Sequence, residues 1–243
     1  MRETLTWLGQ AATRLVSATG SHLFFDPWVT GNPVCPVKLE DLGRVDVILV
    51  THGHFDHFGD SLAICRRTGA KLVGSPEVAW YADQKGIARG SQALPMGIGG
   101  TIQVGGFIIH MVPALHQTAL YGEEWQAERR FIPDGGAAGY VVRTPGGVNV
   151  YHAGDTALFS DMRLIAERFS LDVALLPIGG RFTMDPFDAA RAVELLRPRV
   201  VIPIHYNTNP DLTVDVSEFV QGVKARSPRT EVVVLKPGES VEL

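Results

Sequence analysis

The chain has 243 residues, of which 45% are hydrophobic and 20% charged, and its net charge is −4. That balance fits a folded globular protein with a substantial core and excludes a disordered chain. Without a basic excess, nucleic acid is disfavoured as a partner, and no run approaches the ~20 uncharged apolar residues a membrane span needs. The opening "MRETLTWLGQAATRLVS" lacks the apolar core of a secretory leader, so a cytoplasmic location is expected. Cys35 and Cys65 stand in no CxxC or Cys/His cluster and read as reduced thiols. The basic pairs Arg66/Arg67 and Arg129/Arg130 read as solvated faces.

In chain order, "TLTWL", "TRLVS" and "HLFFD" are short strand candidates joined by turns, which suggests an antiparallel meander feeding a sheet. Five later runs are apolar, β-branched and too unbroken to be half-exposed: "VDVILV" (45–50), "FIIHMV" (107–112), "VNVY" (148–151), "LDVALLPI" (171–178) and "RVVIPI" (199–204). Such runs suit strands covered on both faces. Between them, "SPEVAWYADQKG" opens a helix with Ser75 as N-cap and Pro76 behind it, and stops at Gly86. "DPFDAARAVELLRP" repeats the device with Asp185 and Pro186, its Ala189, Val193 and Leu196 marking one core face. "DVSEFVQGVKARSP" sets Asp215 three residues before Glu218, a capping-box spacing. The pattern predicts an α/β fold of two mixed sheets flanked by helices in layers, with residues 1–243 as one folded unit. The stretch 121–136, "YGEEWQAERRFIPDGG", reads as a surface loop ahead of a lid.

The chemistry concentrates in "THGHFDHFGD" (51–60), where three histidines and two aspartates follow a buried strand. His116, Asp155 and His205 likewise follow the strands at 107–112, 148–151 and 199–204. Carboxyl ends of strands form the crevice of open α/β sheets, so four loops can converge on one spot. Five histidines and two aspartates exceed the four ligands of one tetrahedral zinc, and the count implies two ions. Two such ions share a water, lower its pKa and supply a hydroxide nucleophile without any Ser or Cys. His22 and His110 read as structural, and His152 as packing or as support for the site loop. Arg181 follows the strand at 171–178 and could bind an anionic substrate group; Tyr206, beside His205, could donate to an oxyanion. No Walker loop, HExxH, GxSxG or GxGxxG occurs.

"THGHFDH", followed in order by His116, "GDT" at Asp155 and "HY" at His205, resembles the metallo-β-lactamase superfamily. The likeness is closer to a group of uncharacterised metal-dependent hydrolases within it, through "DPWVTGNP", "VDVILVTHGHFDHFGD", "YHAGDTALFSDM", "LDVALLPIGGRFTMDPFDAA" and "VIPIHYNTNP". The resemblance covers nearly the whole chain. It implies a four-layer αβ/βα sandwich with the site at the edge between the sheets. It also implies one metal on His52, His54 and His116, a second on Asp56, His57 and His205, and Asp155 bridging. Asp56 would in addition orient the hydroxide, as the catalytic carboxylate. His54 stands where the flavodiiron branch has glutamate, which favours zinc-type hydrolysis. Relatives often carry "GHS" where this chain has "GQA" (Gly9–Ala11), and a small residue where Phe55 stands; these departures are expected to bear on substrate choice and to leave the ligands untouched.

The expected activity is that of a dinuclear metal-dependent hydrolase with two divalent ions, zinc ahead of manganese, iron or nickel. Its substrate would be a small ester, lactone, amide or phosphoester. An RNase Z-like phosphodiesterase is the second reading, and a non-catalytic metal-bound ligand sensor the third. A homo-oligomer is compatible with the sequence.

Overall fold

The computed structural model describes residues 2–243, the side chain of Gln126 excepted. The three short N-terminal runs form the expected meander: β1 (Thr4–Trp7), β2 (Thr13–Val16) and β3 (His22–Phe25) pair antiparallel in turn. β4 (Val47–Leu49) then runs parallel to β3, and after it come the short helix α1 (Phe55–Phe58) and α2 (Ser61–Thr68). β5 (Lys71–Gly74), α3 (Pro76–Gln84) and β6 (Ala93–Pro95) extend the same parallel run.

The second half repeats the scheme. β7 (Thr101–Val104), β8 (Phe107–Pro113), the helix α4 (Glu123–Glu128), β9 (Ala138–Arg143) and β10 (Asn149–His152) give successive antiparallel pairings. α5 (Met162–Arg168), β11 (Val173–Pro177), α6 (Pro186–Leu196), β12 (Val200–Ile204), α7 (Val216–Arg226) and β13 (Glu231–Val232) continue it in parallel. β14 (Ser240–Glu242) returns to the first sheet beside β1. The orders are β14-β1-β2-β3-β4-β5-β6 and β13-β12-β11-β10-β9-β8-β7. Both sheets are therefore mixed, and helices cover their outer faces.

Strand periodicity divides the core. Leu23, Phe25, Val47 and Leu49 face the second sheet and join Phe107, Ile109, Tyr140 and Val142. The alternate residues Phe24, Ile48 and Val50 face outward, under Ile64 and Cys65 of α2 and Val78, Ala79 and Ala82 of α3. Residues with a period of two supply one layer on each side. β11 and β12 are buried along their whole length, as their unbroken apolar runs require. Ser75 Oγ accepts from Val78 N at 3.1 Å, and Asp185 Oδ1 accepts from Asp188 N at 2.8 Å, so both expected N-caps form. Asp215 caps α7 through Ser217 N (2.9 Å), one residue short of the capping-box position.

The stretch 121–136 is more ordered than a loop. It carries α4, docks on α3 through the Tyr81 hydroxyl, which donates to Glu124 at 2.8 Å, and forms a bridge between Leu120 and Ile132. No helix among the described residues is long and apolar enough to cross a membrane.

Candidate metal centre

Four loops that follow strands deliver their polar side chains to one end of the two sheets. Thr51–Gly59 leaves β4, and His54 is the N-cap of α1, which turns Asp56 and His57 back over the sheet edge. His116 follows β8, Asp155 follows β10, and His205 follows β12. His205 holds a left-handed backbone (φ +56°), with its N–H donating to Gln10 O at 2.9 Å.

The seven predicted donors fall into two groups, His52/His54/His116/Asp155 and Asp56/His57/His205, each with candidate ligand atoms mutually within 4.8 Å. Asp155 lies against both. Its Oδ2 is 3.6 Å from His116 Nε2 and 3.2 Å from His205 Nε2, and its Oδ1 is 3.3 Å from His57 Nε2. Asp56 Oδ2 stands 3.4 Å from His205 Nε2 and 3.7 Å from His57 Nε2.

The unsatisfied atoms test whether a cation suits this arrangement. His57 Nε2, His116 Nε2 and Asp155 Oδ1 are buried and make no hydrogen bond. His52 Nε2 and His54 Nδ1 face one another at 3.0 Å. Buried polar atoms left unpaired cost about 1–3 kcal/mol each, so a cluster of them facing one space is a donor set for a cation. The donors, all imidazole nitrogen or carboxylate oxygen, suit divalent transition ions.

Supporting residues fix which nitrogens face inward. Thr51 Oγ1 donates to Asp26 Oδ2 at 2.7 Å, so it accepts from His52 Nδ1 (3.0 Å) and leaves the His52 Nε2 lone pair free. His57 Nδ1 donates to the same Asp26 oxygen at 2.8 Å, which likewise frees its Nε2. Asp26 is fully buried and also accepts from Thr51 N at 2.8 Å. Asp134 accepts from Gly53 N at 2.8 Å and pins the turn between His52 and His54. A Cβ on Gly53 would lie 2.5 Å from Leu120 Cα, so only glycine admits this docked segment.

Three histidines are placed elsewhere or otherwise engaged. His152 accepts from Gly154 N at 3.1 Å and donates to Ala11 O at 3.0 Å, so both its nitrogens are committed to holding the Asp155 loop. His22 meets Arg14 and the Arg44 carbonyl, and His110 meets Thr101. Arg181 is exposed, ion-paired with Asp211 and laid over Phe182. Tyr206 is buried and stacks on Trp7, with ring centroids 5.4 Å apart.

Gln10 was expected to leave the ligands untouched, and the structure places it against two of them. Its Nε2 donates to Asp56 Oδ2 at 2.8 Å and lies 2.7 Å from His205 Nε2. Phe55 is half exposed and packs edge-on to Trp28 and Tyr121, and Tyr121 in turn meets His54 edge-on. Phe131 and Trp125 extend this aromatic wall beside the donors.

Charge is distributed unevenly. Burial, then neighbouring His57, holds the His52 imidazole well below its ordinary pKa, and burial with His57 and His116 brings His54 down to about 4. His116 and His152 are lowered by burial as well. Burial opposes charge on His57 too, yet Asp155, Asp56 and Asp26 outweigh it and push the imidazole well above its usual value. Burial also resists ionisation of Asp56, but His57 and His205 bring it to about 2. Two groups contest the proton on His205: burial opposes it, Asp155 and Asp56 raise the pKa to about 9, and the Gln10 amide facing Nε2 favours the lone pair.

The lowered histidines give a pH prediction for the metal-free protein. The unfolded chain takes up their protons near pH 6.5 while the folded chain refuses them, so stability falls as pH drops below 6.5. His57 and His205 offset only a small part of this, because their folded pKa values are raised and both states become protonated below 6.5. One histidine's share over 1.5 pH units is about 2 kcal/mol, or roughly 4–8 °C in Tm for a chain of this size. Thermal unfolding of the chelator-stripped protein at pH 6.5 and 5.0 is expected to show at least that drop.

A family profile described as "Beta-lactamase superfamily domain" matches residues 22–206. A UPF0173 metal-dependent hydrolase of Methanopyrus kandleri is 47% identical over 238 residues, covering 98% of this chain and 99% of that relative. A second, from Rubrobacter xylanophilus, is 42% identical over 98% of this chain and 95% of its own length. Among solved structures, Igni18, a metallo hydrolase of Ignicoccus hospitalis, superposes with a TM-score of 0.84 at 37% identity, covering 100% of this chain and 99% of its own. An isothiocyanate hydrolase from Delia radicum gut bacteria shares the fold at 18% identity, with a TM-score of 0.73 and coverage of 99% and 98%. With the donor set of "THGHFDH", His116, Asp155 and His205 gathered at one sheet edge, and with relatives matched end to end, the chain belongs to the β-lactamase superfamily and, within it, to the UPF0173 metal-dependent hydrolases.

Proposed function

We propose that the protein is a cytoplasmic dinuclear hydrolase of a small ester, lactone, amide or phosphoester, with zinc as the first choice of metal. The observation that carries this reading is Asp155, one buried carboxylate within 3.6 Å of the nitrogens of both donor groups. A single structural zinc needs neither a bridging carboxylate nor seven donors. Two divalent cations bound there would acidify a water and polarise the scissile carbonyl or phosphoryl group.

The chain's own residues supply the rest. Asp56 is kept ionised and is the more open of the two site carboxylates, so it serves to orient the attacking water and hold its proton. Asp26 and Thr51 lock His57 and His52 with their lone pairs inward. Phe55 and Tyr121 offer an apolar wall for the organic part of a substrate. Tyr206 neighbours His205 and is the residue we assign to the developing oxyanion; Arg181 would reach an anionic group by leaving Asp211. The acidic net charge weighs against an RNA substrate.

The test is metal removal and return. Chelator-stripped protein should lose turnover on a panel of aryl esters, lactones and phosphodiesters and regain it with Zn²⁺ or Mn²⁺. Asp56→Ala should keep the fold while losing roughly 10²–10⁴ in turnover. Cation-loaded protein that hydrolyses nothing on the panel, or Asp56→Ala with undiminished turnover, would sink the reading.

A further inference from the structure

We propose that Gln10 competes with the second cation for its donor atoms, so that the two positions fill in order, the His52/His54/His116/Asp155 position first. This rests on the dinuclear reading above and adds a residue that reading does not use.

Gln10 sits at the tip of the turn between β1 and β2, and its placement is overdetermined. Its carbonyl accepts from Trp7 Nε1 and from His205 N, both at 2.9 Å, and its backbone is held at φ +52°, a conformation non-glycine residues rarely adopt. The side chain is buried, and its amide nitrogen reaches two acceptors of one donor group. Asp56 is an acceptor only, so the nitrogen and not the amide oxygen must face Asp56 Oδ2, at 2.8 Å. The second N–H then points along the 2.7 Å approach to the His205 Nε2 lone pair. Those two atoms belong to the second cation's donor set, which besides them has His57 and the shared Asp155.

The first group has no such neutral occupant. None of the hydrogen bonds of the described residues brings an amide or hydroxyl to His54 or to His116 Nε2. A cation entering there displaces only the 3.0 Å contact between two of its own ligands, His52 and His54, whereas one entering the second group must displace two hydrogen bonds from an outside amide, one of them to a carboxylate. Each such bond is worth about a tenfold in affinity. The amide oxygen, buried without a partner, gains nothing from staying, which makes Gln10 displaceable once a cation is present in excess.

The experiment measures stepwise Zn²⁺ dissociation constants by competition with a chromophoric chelator, with Co²⁺ absorption as a second readout of each position. The wild-type chain should bind one ion tightly and a second at least about tenfold more weakly. Gln10→Gly, which removes the amide and accepts a positive φ freely, should tighten the second step by about tenfold or more and leave the first unchanged; Gln10→Ala is the companion variant, with thermal unfolding confirming that each is folded. Equal affinities in the wild type, or a second step in both variants that is unchanged or weaker, would overturn the role of Gln10 while the metal centre stands. A wild-type chain that binds no Zn²⁺ would overturn the metal centre itself, and Gln10's role with it.

Discussion

Asp155→Ala is expected to reduce the bound cations from two to at most one and to cut turnover by roughly 10³ or more, the scale of losing about 4 kcal/mol of transition-state stabilisation. The reason is geometric: among the described residues Asp155 is the one carboxylate within ion-pair distance of histidines of both donor groups, so its loss removes the negative charge His116 shares with His57 and His205. The cost to the fold is smaller than the charge change suggests. In the metal-free protein Asp155 helps keep His57 protonated, and without it that imidazole sheds a proton instead of carrying buried charge. The remaining penalty is about 1–3 kcal/mol of unpaired polar groups. Asp155→Asn keeps the shape and removes the charge, so it should show nearly the same metal loss with less destabilisation. Elemental analysis and thermal unfolding of the two variants check this, and full metal content in Asp155→Ala would refute a bridging role.

The parts of this site legible in the sequence were those obeying a local rule. His52, His54, Asp56 and His57 share one short loop, and His116, Asp155 and His205 each follow an apolar strand, so strand ends pointed to all seven. The parallel strands β11 and β12 and the caps Ser75 and Asp185 were equally plain, because unbroken β-branched runs and cap-Pro pairs have little other use. What escaped depends on contacts between distant segments. Asp26 acts on His57 from β3's end, and Asp134 reaches Gly53 across 81 positions. Gln10 reaches His205 across 195. β14 pairs with β1 across almost the whole chain and is three residues long, too short to show a period. β9 carries Gly139 and lies behind the glycine pair 135–136, punctuation that reads as loop until β8 and β10 are seen on either side of it.

Asp26 shows how much rests on one of those unseen residues, and Asp26→Asn isolates it. The carboxylate accepts three hydrogen bonds: Oδ1 from Thr51 N, and Oδ2 from Thr51 Oγ1 and His57 Nδ1. In asparagine the single oxygen must stay on Thr51 N, a buried donor with no other acceptor, so the NH₂ is forced into the place of Oδ2. There it donates toward His57 Nδ1, which can accept only by giving up its proton. The imidazole then carries hydrogen on Nε2, the nitrogen that should face the cations, and the ring is present but in the wrong tautomer. Affinity at the Asp56/His57/His205 position should drop about 10–100-fold, with turnover following, while His52, His54 and His116 still hold their ion. Asp26→Ala should be worse for the fold, because Thr51 N–H and His57 Nδ1–H lose their acceptor in a fully buried space, at about 2–5 kcal/mol together. Nitrogen-15 spectra of the imidazole rings in the metal-free protein, recorded above the pH at which His57 becomes neutral, read the tautomer directly. A His57 that keeps its proton on Nδ1 in Asp26→Asn would mean that Asp26 supports the strand end and does not set the chemistry of the ligand.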